Sequence, residues 1–203
     1  EHGYLSARAD AAGDDNYFQS VDWDRTRAYA VGFGGIYLNL KGREARGIVE
    51  PGDEEHQIKK EISERLLNLY DDSHGEYPVK AMYDTRQVYK GPYVKEAPDL
   101  IAGFRLGYRA SWKSVTGGLS DEVFCDNEKG WSGDHNFNPP DVPGMLFSNR
   151  RIEAQSPSIM DLGPTVLDLF GVAVPSWCDG KSLFPAGHRS KTVQQATRVS
   201  EHQ

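Results

Sequence analysis

Residues 130–149, GWSGDHNFNPPDVPGMLFSN, set Asp134 and His135 among glycines, ahead of three prolines and a short apolar run. An imidazole beside a carboxylate can ligate a divalent metal, orient a substrate by hydrogen bonding, or simply close a turn. A second pair, Asp72 and His74 in DDSHGEY (71–77), offers the same chemistry. A helix stop with Gly75 in a left-handed cap accounts for it more cheaply. The glycines of GFGG (32–35) suggest a phosphate loop, but no G-K-[ST] follows and no helical pattern opens there. A bulge or a close backbone approach is the expectation for them. Cys125 and Cys178, the only cysteines, stand far apart without a C-x-x-C partner, so neither a zinc ribbon nor a disulfide framework is indicated.

The elements that must position these residues follow from spacing. Residues 28–31 and 36–40 read as two short strands about the glycines, and residues 100–104 as a third, with a further β-prone piece beyond Gly107. MLFS, 145–148, reads as another strand, entered through Pro139, Pro140 and Pro143. After a turn-rich lead-in over the first residues, the first helix begins with Asp53, Glu54 and Glu55. It carries Ile58, Ile62, Leu66 and Leu69 on one face, with Lys59, Lys60, Glu61, Glu64 and Arg65 on a solvated one. A second helix has Asp161 as N-cap, which puts Pro164 in the first turn, where its missing N–H costs little. Leu162, Val166, Leu169 and Phe170 then share a face, and Gly171 ends the helix. Trp112 and Trp131 are expected in core or rim packing.

At 203 residues the chain suits one domain. A net charge of −7 without any Lys/Arg block leaves no electrostatic footprint for nucleic acid or an anionic membrane surface. Small anionic substrates remain compatible, because a bound metal supplies positive charge locally. No apolar run approaches the roughly 18 residues of a membrane span. Strands interleaved with two helices argue for an α/β fold, a sheet flanked by helices, although the helical crossovers are too few for a complete doubly wound sheet.

Four stretches, in order, resemble the alkaline phosphatase superfamily, in its type I phosphodiesterase/nucleotide pyrophosphatase branch. They are VDWDRTRAYAVGFGGIYLNLKGREARGIVEPG, YKGPYVKEAPDLIAGFRLGYRASW, WSGDHNFNPPDVPGMLFSNRRI and PSIMDLGPTVLDLFGVAVPSWCDGKSLF, together covering most of residues 21–184. The resemblance implies a hydrolase of phosphate esters with two divalent metal ions, zinc above all, and a Thr or Ser nucleophile attacking phosphorus. The family draws its ligands from an early Asp and the nucleophile, a D-x-x-x-H pair, an Asp-His-Gly, and a late lone His. Because VPGMLFSN and MDLGPTVLDLFG follow it, His135 matches the late metal ligand, and Asp134 beside it is implied as an orienting partner rather than a ligand. Neither D-x-x-x-H nor D-H-G occurs in the chain, and no Thr/Ser nucleophile motif precedes residue 21. EHGYL at the start resembles the stretch that follows the internal Asp-His-Gly. The expectation is therefore the C-terminal part of one incomplete alkaline-phosphatase-like domain over residues 1–187, inactive by itself, with a polar, disordered tail over 188–203. Its partner would be a small-molecule phosphate ester. The same scaffold also serves sulfatases and phosphomutases, and a non-catalytic binding fragment is the reading from outside the family. Expressed alone, such a partial chain would associate or pack loosely.

Overall fold

A computed structural model describes residues 2–9, 17–120, 122–128, 130, 133 and 137–184. The chain divides into two compact units, Glu1–Pro143 and Gly144–Gln203.

The first unit is built on a mixed α/β arrangement whose sheet is antiparallel throughout. Strands β1 (Ala28–Val31) and β2 (Gly35–Leu38) form a hairpin in the register Ala28↔Leu38 to Val31↔Gly35. The glycines between them allow the turn: Gly32 and Gly34 have φ of 74° and 105°, conformations costly for any residue with a Cβ. A Cβ at Gly34 would also stand 3.1 Å from the Ala102 carbonyl, so the expected close approach is present. Strand β4 (Leu100–Phe104) lies between β2 and the edge strand β3 (Val79–Asp84), giving the order β1-β2-β4-β3. All neighbouring strands are antiparallel, so the one long crossover is that from β2 to β3, over residues 39–78, which joins the strands on either side of β4 in the order and carries the main helix.

Helix α1 (Asp53–Leu67) starts where expected, after Gly52, and ends before Leu69. Its Ile58 and Ile62 join Ala28, Leu38, Leu40, Val49 and Leu100 in one buried cluster. The expectation of a uniformly solvated opposite face does not hold. Lys59 is 5% exposed and Glu55 1%. The Lys59 ammonium donates to Asp84 at the end of β3 (2.8 Å) and lies 3.3 Å from Glu55, itself 2.9 Å from the Arg86 guanidinium. Opposite charge supplied by another element turns a surface position into a buried one. Asp84 also accepts from the Arg86 N–H (3.0 Å), starting the short helix α2 (Thr85–Val88).

Across β2 and β4 the ladder is brief, and a buried ion pair extends it. Asp99, 2% exposed, accepts both arms of the Arg43 guanidinium (3.0 and 2.6 Å) together with the Leu38 N–H (2.7 Å). Strand β2 stops at Leu38, two residues short of the expected end, because Asn39 turns inward. Its buried amide donates to the carbonyls of Trp23, Thr26 and Arg46. Beyond Gly107 the β-prone piece runs irregularly into the short helix α3 (Trp112–Val115), where Trp112 lies partly exposed beneath Arg109, the guanidinium 4.3 Å from the ring.

In the second unit, Ser158 opens a 3-10 turn (Ile159–Asp161) that passes into helix α4 (Leu162–Leu169). Asp161 stands at the N-cap position and Pro164 falls in the first turn, as the sequence predicts, but the Asp161 side chain makes no capping bond to α4 and accepts the Ser158 and Lys181 N–H groups instead. Gly171, at φ 71°, closes the helix. The buried side of α4 is a different one from that expected: Pro164 and Thr165 are buried, while Leu162, Val166 and Phe170 are exposed. The reason is a strap over 180–184. The Asp161 carboxylate accepts the Lys181 N–H (2.8 Å), Thr165 Oγ1 accepts the Leu183 N–H (2.9 Å), and Ser182 Oγ donates to Asp168 (2.6 Å). Residues 145–148 form no strand. Met145 and Phe147 are 86% and 87% exposed, and among the described residues no strand pairs with them. A β-prone run without an edge to join gains nothing by extension. No described helix is long and apolar enough to cross a membrane.

Replacing Lys59 by Met removes the ammonium shared by Glu55 and Asp84 and leaves Arg86 as their remaining partner. The expected outcome is a loss of about 3 kcal/mol in urea unfolding followed by circular dichroism. A variant as stable as the parent would return Lys59 to the surface role that spacing alone assigned it.

Candidate functional site

Asp134 and His135 lie outside the described residues, as does Trp131; Gly133, just before them, is exposed. What the structure describes is the exit from this segment, which begins at Phe137. Asn138 is 3% exposed although it stands in a loop. Its Oδ1 accepts the Tyr83 hydroxyl (2.5 Å), and its Nδ2 donates to Asp141 (2.9 Å). Pro139 opens the 3-10 turn Pro139–Asp141 directly after it, where a ring with no N–H to offer suits the first position. Asp141 is paired with Lys80 of β3. That ion pair and the Asn138 amide hold the Asp141 carboxyl below the ordinary carboxylate range, against the smaller upward push of burial. The sheet thus receives the loop through one strand's lysine and tyrosine, and Gly103 of β4 makes room: a Cβ there would stand 2.7 Å from Asn138 Oδ1.

The second candidate pair resolves differently from its sequence reading. Helix α1 has already ended, with Asn68 as its C-cap, so the left-handed Gly75 (φ 70°) belongs to a separate turn bridged by Asp71 and Glu76. The carboxylate beside His74 is Asp71, not Asp72. Asp71 is buried, and its Oδ2 accepts from the Tyr108 hydroxyl (2.9 Å) and sits 3.0 Å from His74 Nδ1. On the outer side, His74 Nε2 lies 3.6 Å from the exposed Asp126. Burial pushes the Asp71 carboxyl up, but the Tyr108, His74 and backbone hydrogen bonds together outweigh it and leave the group below its ordinary value. Burial and the same Asp71 contact raise the Tyr108 hydroxyl to about 12. With Tyr108 arriving from beyond β4, the sequence carried no local sign of this trio. It ties the 71–76 turn to the chain after the sheet.

Among the described residues no group of three or more His, Cys, Asp or Glu side chains is placed to hold a metal ion. In the second unit an open cavity of about 290 Å³ is lined in part by Glu153, Asp161 and Lys181. Both Asp161 oxygens are already engaged there by the Ser158 and Lys181 N–H groups, which makes its role one of folding. Comparison of the chain with protein-family models, with curated proteins and with solved structures gave no match.

The depressed carboxyls fix the sign of the pH dependence. A group whose pKa is lower folded than unfolded stabilises the fold above its unfolded value and loses that contribution as pH falls through the folded one. Asp71 and Asp141 should therefore hold their turns firmly at neutral pH and release them only below about pH 4. Acid titration followed by Tyr and Trp fluorescence checks this, with Asp71→Asn/Asp141→Asn expected to flatten the acid limb. A transition centred near pH 6 would contradict it.

Proposed function

We propose that this chain belongs to a metal-dependent hydrolase of phosphate esters, of the phosphodiesterase/nucleotide pyrophosphatase type in the alkaline phosphatase superfamily, and contributes the late metal-ligand histidine, His135. The observation that carries the reading is the order of the four family-like stretches along residues 21–184, with GDH directly ahead of VPGMLFSN. The mixed α/β fold is compatible with it, and the buried docking of Asn138, three residues after His135, supports it.

The chain fits one ligand of a two-metal centre rather than the whole centre. A neutral imidazole at residue 135 is a suitable zinc donor, and Asp134 is available to fix its tautomer. The motifs that supply the family's other ligands and its Thr/Ser nucleophile are not recognisable in the sequence, and among the described residues no group of three or more His, Cys, Asp or Glu is placed to hold a metal ion. When bound, two divalent ions would neutralise charge on the phosphate ester and activate the nucleophile. The contribution of this chain in that reading is one imidazole ligand, His135. The overall negative charge of the chain leaves recognition of an anionic substrate to the metals rather than to a basic surface.

For the complete protein containing this chain, the expected zinc content is about two per polypeptide. Hydrolysis of a chromogenic phosphodiester should be abolished by chelation and restored by zinc. His135→Ala should lower kcat/KM by about 100-fold or more, since losing a ligand costs at least as much as losing its supporting partner. Activity and zinc content equal to the parent's in that variant would remove His135 from the centre. Preferred turnover of a sulfate ester would move the reading to the sulfatase branch.

A further inference from the structure

We infer that His74 is a proton-operated clasp: carrying one proton, its ring is bonded only to the buried Asp71, and carrying two it also grips Asp126, drawing the exposed segment 122–128 against the turn 71–76. None of these residues belongs to the proposed metal centre.

The surroundings of the ring distinguish its two nitrogens. Asp71 is buried and held from two sides besides the imidazole, by the Tyr108 hydroxyl (2.9 Å) and the Ser73 N–H (2.9 Å). These bonds keep its carboxyl below the ordinary range, so near neutral pH it accepts hydrogen bonds and has no proton to offer. His74 Nδ1, 3.0 Å from that carboxylate, is therefore the nitrogen that carries the hydrogen. A neutral imidazole has a single N–H, which leaves Nε2 as a bare lone pair. Yet Nε2 stands 3.6 Å from another carboxylate, that of Asp126. In the neutral ring two acceptors face each other there. A second proton turns the same contact into a donor aimed at an anion, and the 79% exposed Asp126 side chain can swing in to the roughly 2.8 Å of a charge-assisted bond.

The other groups about the ring do not compete for this role. Tyr108 meets it edge-on with centroids 6.3 Å apart, and its hydroxyl, raised to about 12, stays neutral across the range in which imidazoles titrate. Glu76, at the end of the turn, faces Arg105 at 3.6 Å, and Asp72 is exposed. Residues 122–128 contain no helix or strand, and all but Phe124 are exposed. An exposed ion pair contributes little, but a segment without a ladder of its own is one that a small contribution can tip. The inner bond supplies what the outer one lacks, since an imidazolium fixed on a buried carboxylate holds its far nitrogen in place for Asp126. Grip is thus gained as pH falls through the neutral range. It is lost again below about pH 4, where Asp71 itself takes up a proton.

The test follows the histidine ring nitrogens of the full chain by NMR from about pH 8.5 to about pH 5, together with amide exchange corrected for its intrinsic pH dependence. The signal that disappears in His74→Gln identifies the ring. At the alkaline end it should be the tautomer protonated on Nδ1. As the second proton binds, exchange over 122–128 should slow by about twofold to fivefold, and raised salt should reduce that slowing, because the outer contact is exposed. Asp126→Asn, a surface change that leaves the fold intact, should abolish the slowing while keeping the tautomer, and His74→Gln should make exchange over 122–128 independent of pH. A neutral ring protonated on Nε2 overturns the inner half of the clasp. Exchange over 122–128 that ignores pH in the parent, or that slows equally in Asp126→Asn, overturns the outer half.

Discussion

The first unit depends on a carboxylate placed where water cannot reach it. Burying Asp99 costs several kcal/mol unless its lone pairs are filled, and three donors fill them: two arms of Arg43 and the Leu38 N–H. The guanidinium is itself under opposing influences, since burial disfavours its charge while Asp99 and Glu44 restore it, with a net upward shift. Because β2 and β4 share only the pairs Gly35↔Ile101 and Ile36↔Leu100, this fork carries the junction where the ladder stops. Asp99 immediately precedes β4, so it also sets the register that brings Gly103 opposite Ala81 and beneath Asn138. A fixed β4 is the precondition for a fixed loop exit.

Much of the architecture was legible from residue types. The hairpin around GFGG, the start of α1, the Asp161 cap position and the Gly171 stop all rest on local rules, and local rules act wherever the chain is. Strand β3 was not legible. VKAMYD has no β-branched run and no clean alternation, and its extension comes from pairing with β4 along five residue pairs. The run 145–148 failed in the opposite direction, with good β-formers and no neighbouring strand among the described residues. In both cases the missing information is the partner, which a single sequence does not display.

The candidate site was legible only as a motif, because Asp134 and His135 lie outside the described residues. GDH and the stretches after it singled out His135, whereas Asn138, three residues further on, looked like one more polar loop residue. Its signal was present in pieces far apart: a glycine in the middle of β4, a tyrosine and a lysine on β3, and an Asn before Pro-Pro. Only folding brings them together. The same holds for Lys59, read as solvent-facing because charge usually is, and for Asp71, overlooked beside Asp72 because Tyr108 is 37 residues away.

These buried charges share one logic, which bears on how the turns around the sheet are held. The sheet is small, its hydrophobic cluster modest, and several buried polar groups at its margins bond to partners distant in the sequence. Each such contact is directional, so it fixes an orientation that apolar packing alone would leave loose. Asn39 orients the turn after β2, Asp71 the turn after α1, and Asn138 the turn Pro139–Asp141. A turn tethered by apolar contacts alone keeps several orientations, whereas the turn Pro139–Asp141 is tethered by an amide bonded at both ends over a glycine gap, which leaves it one.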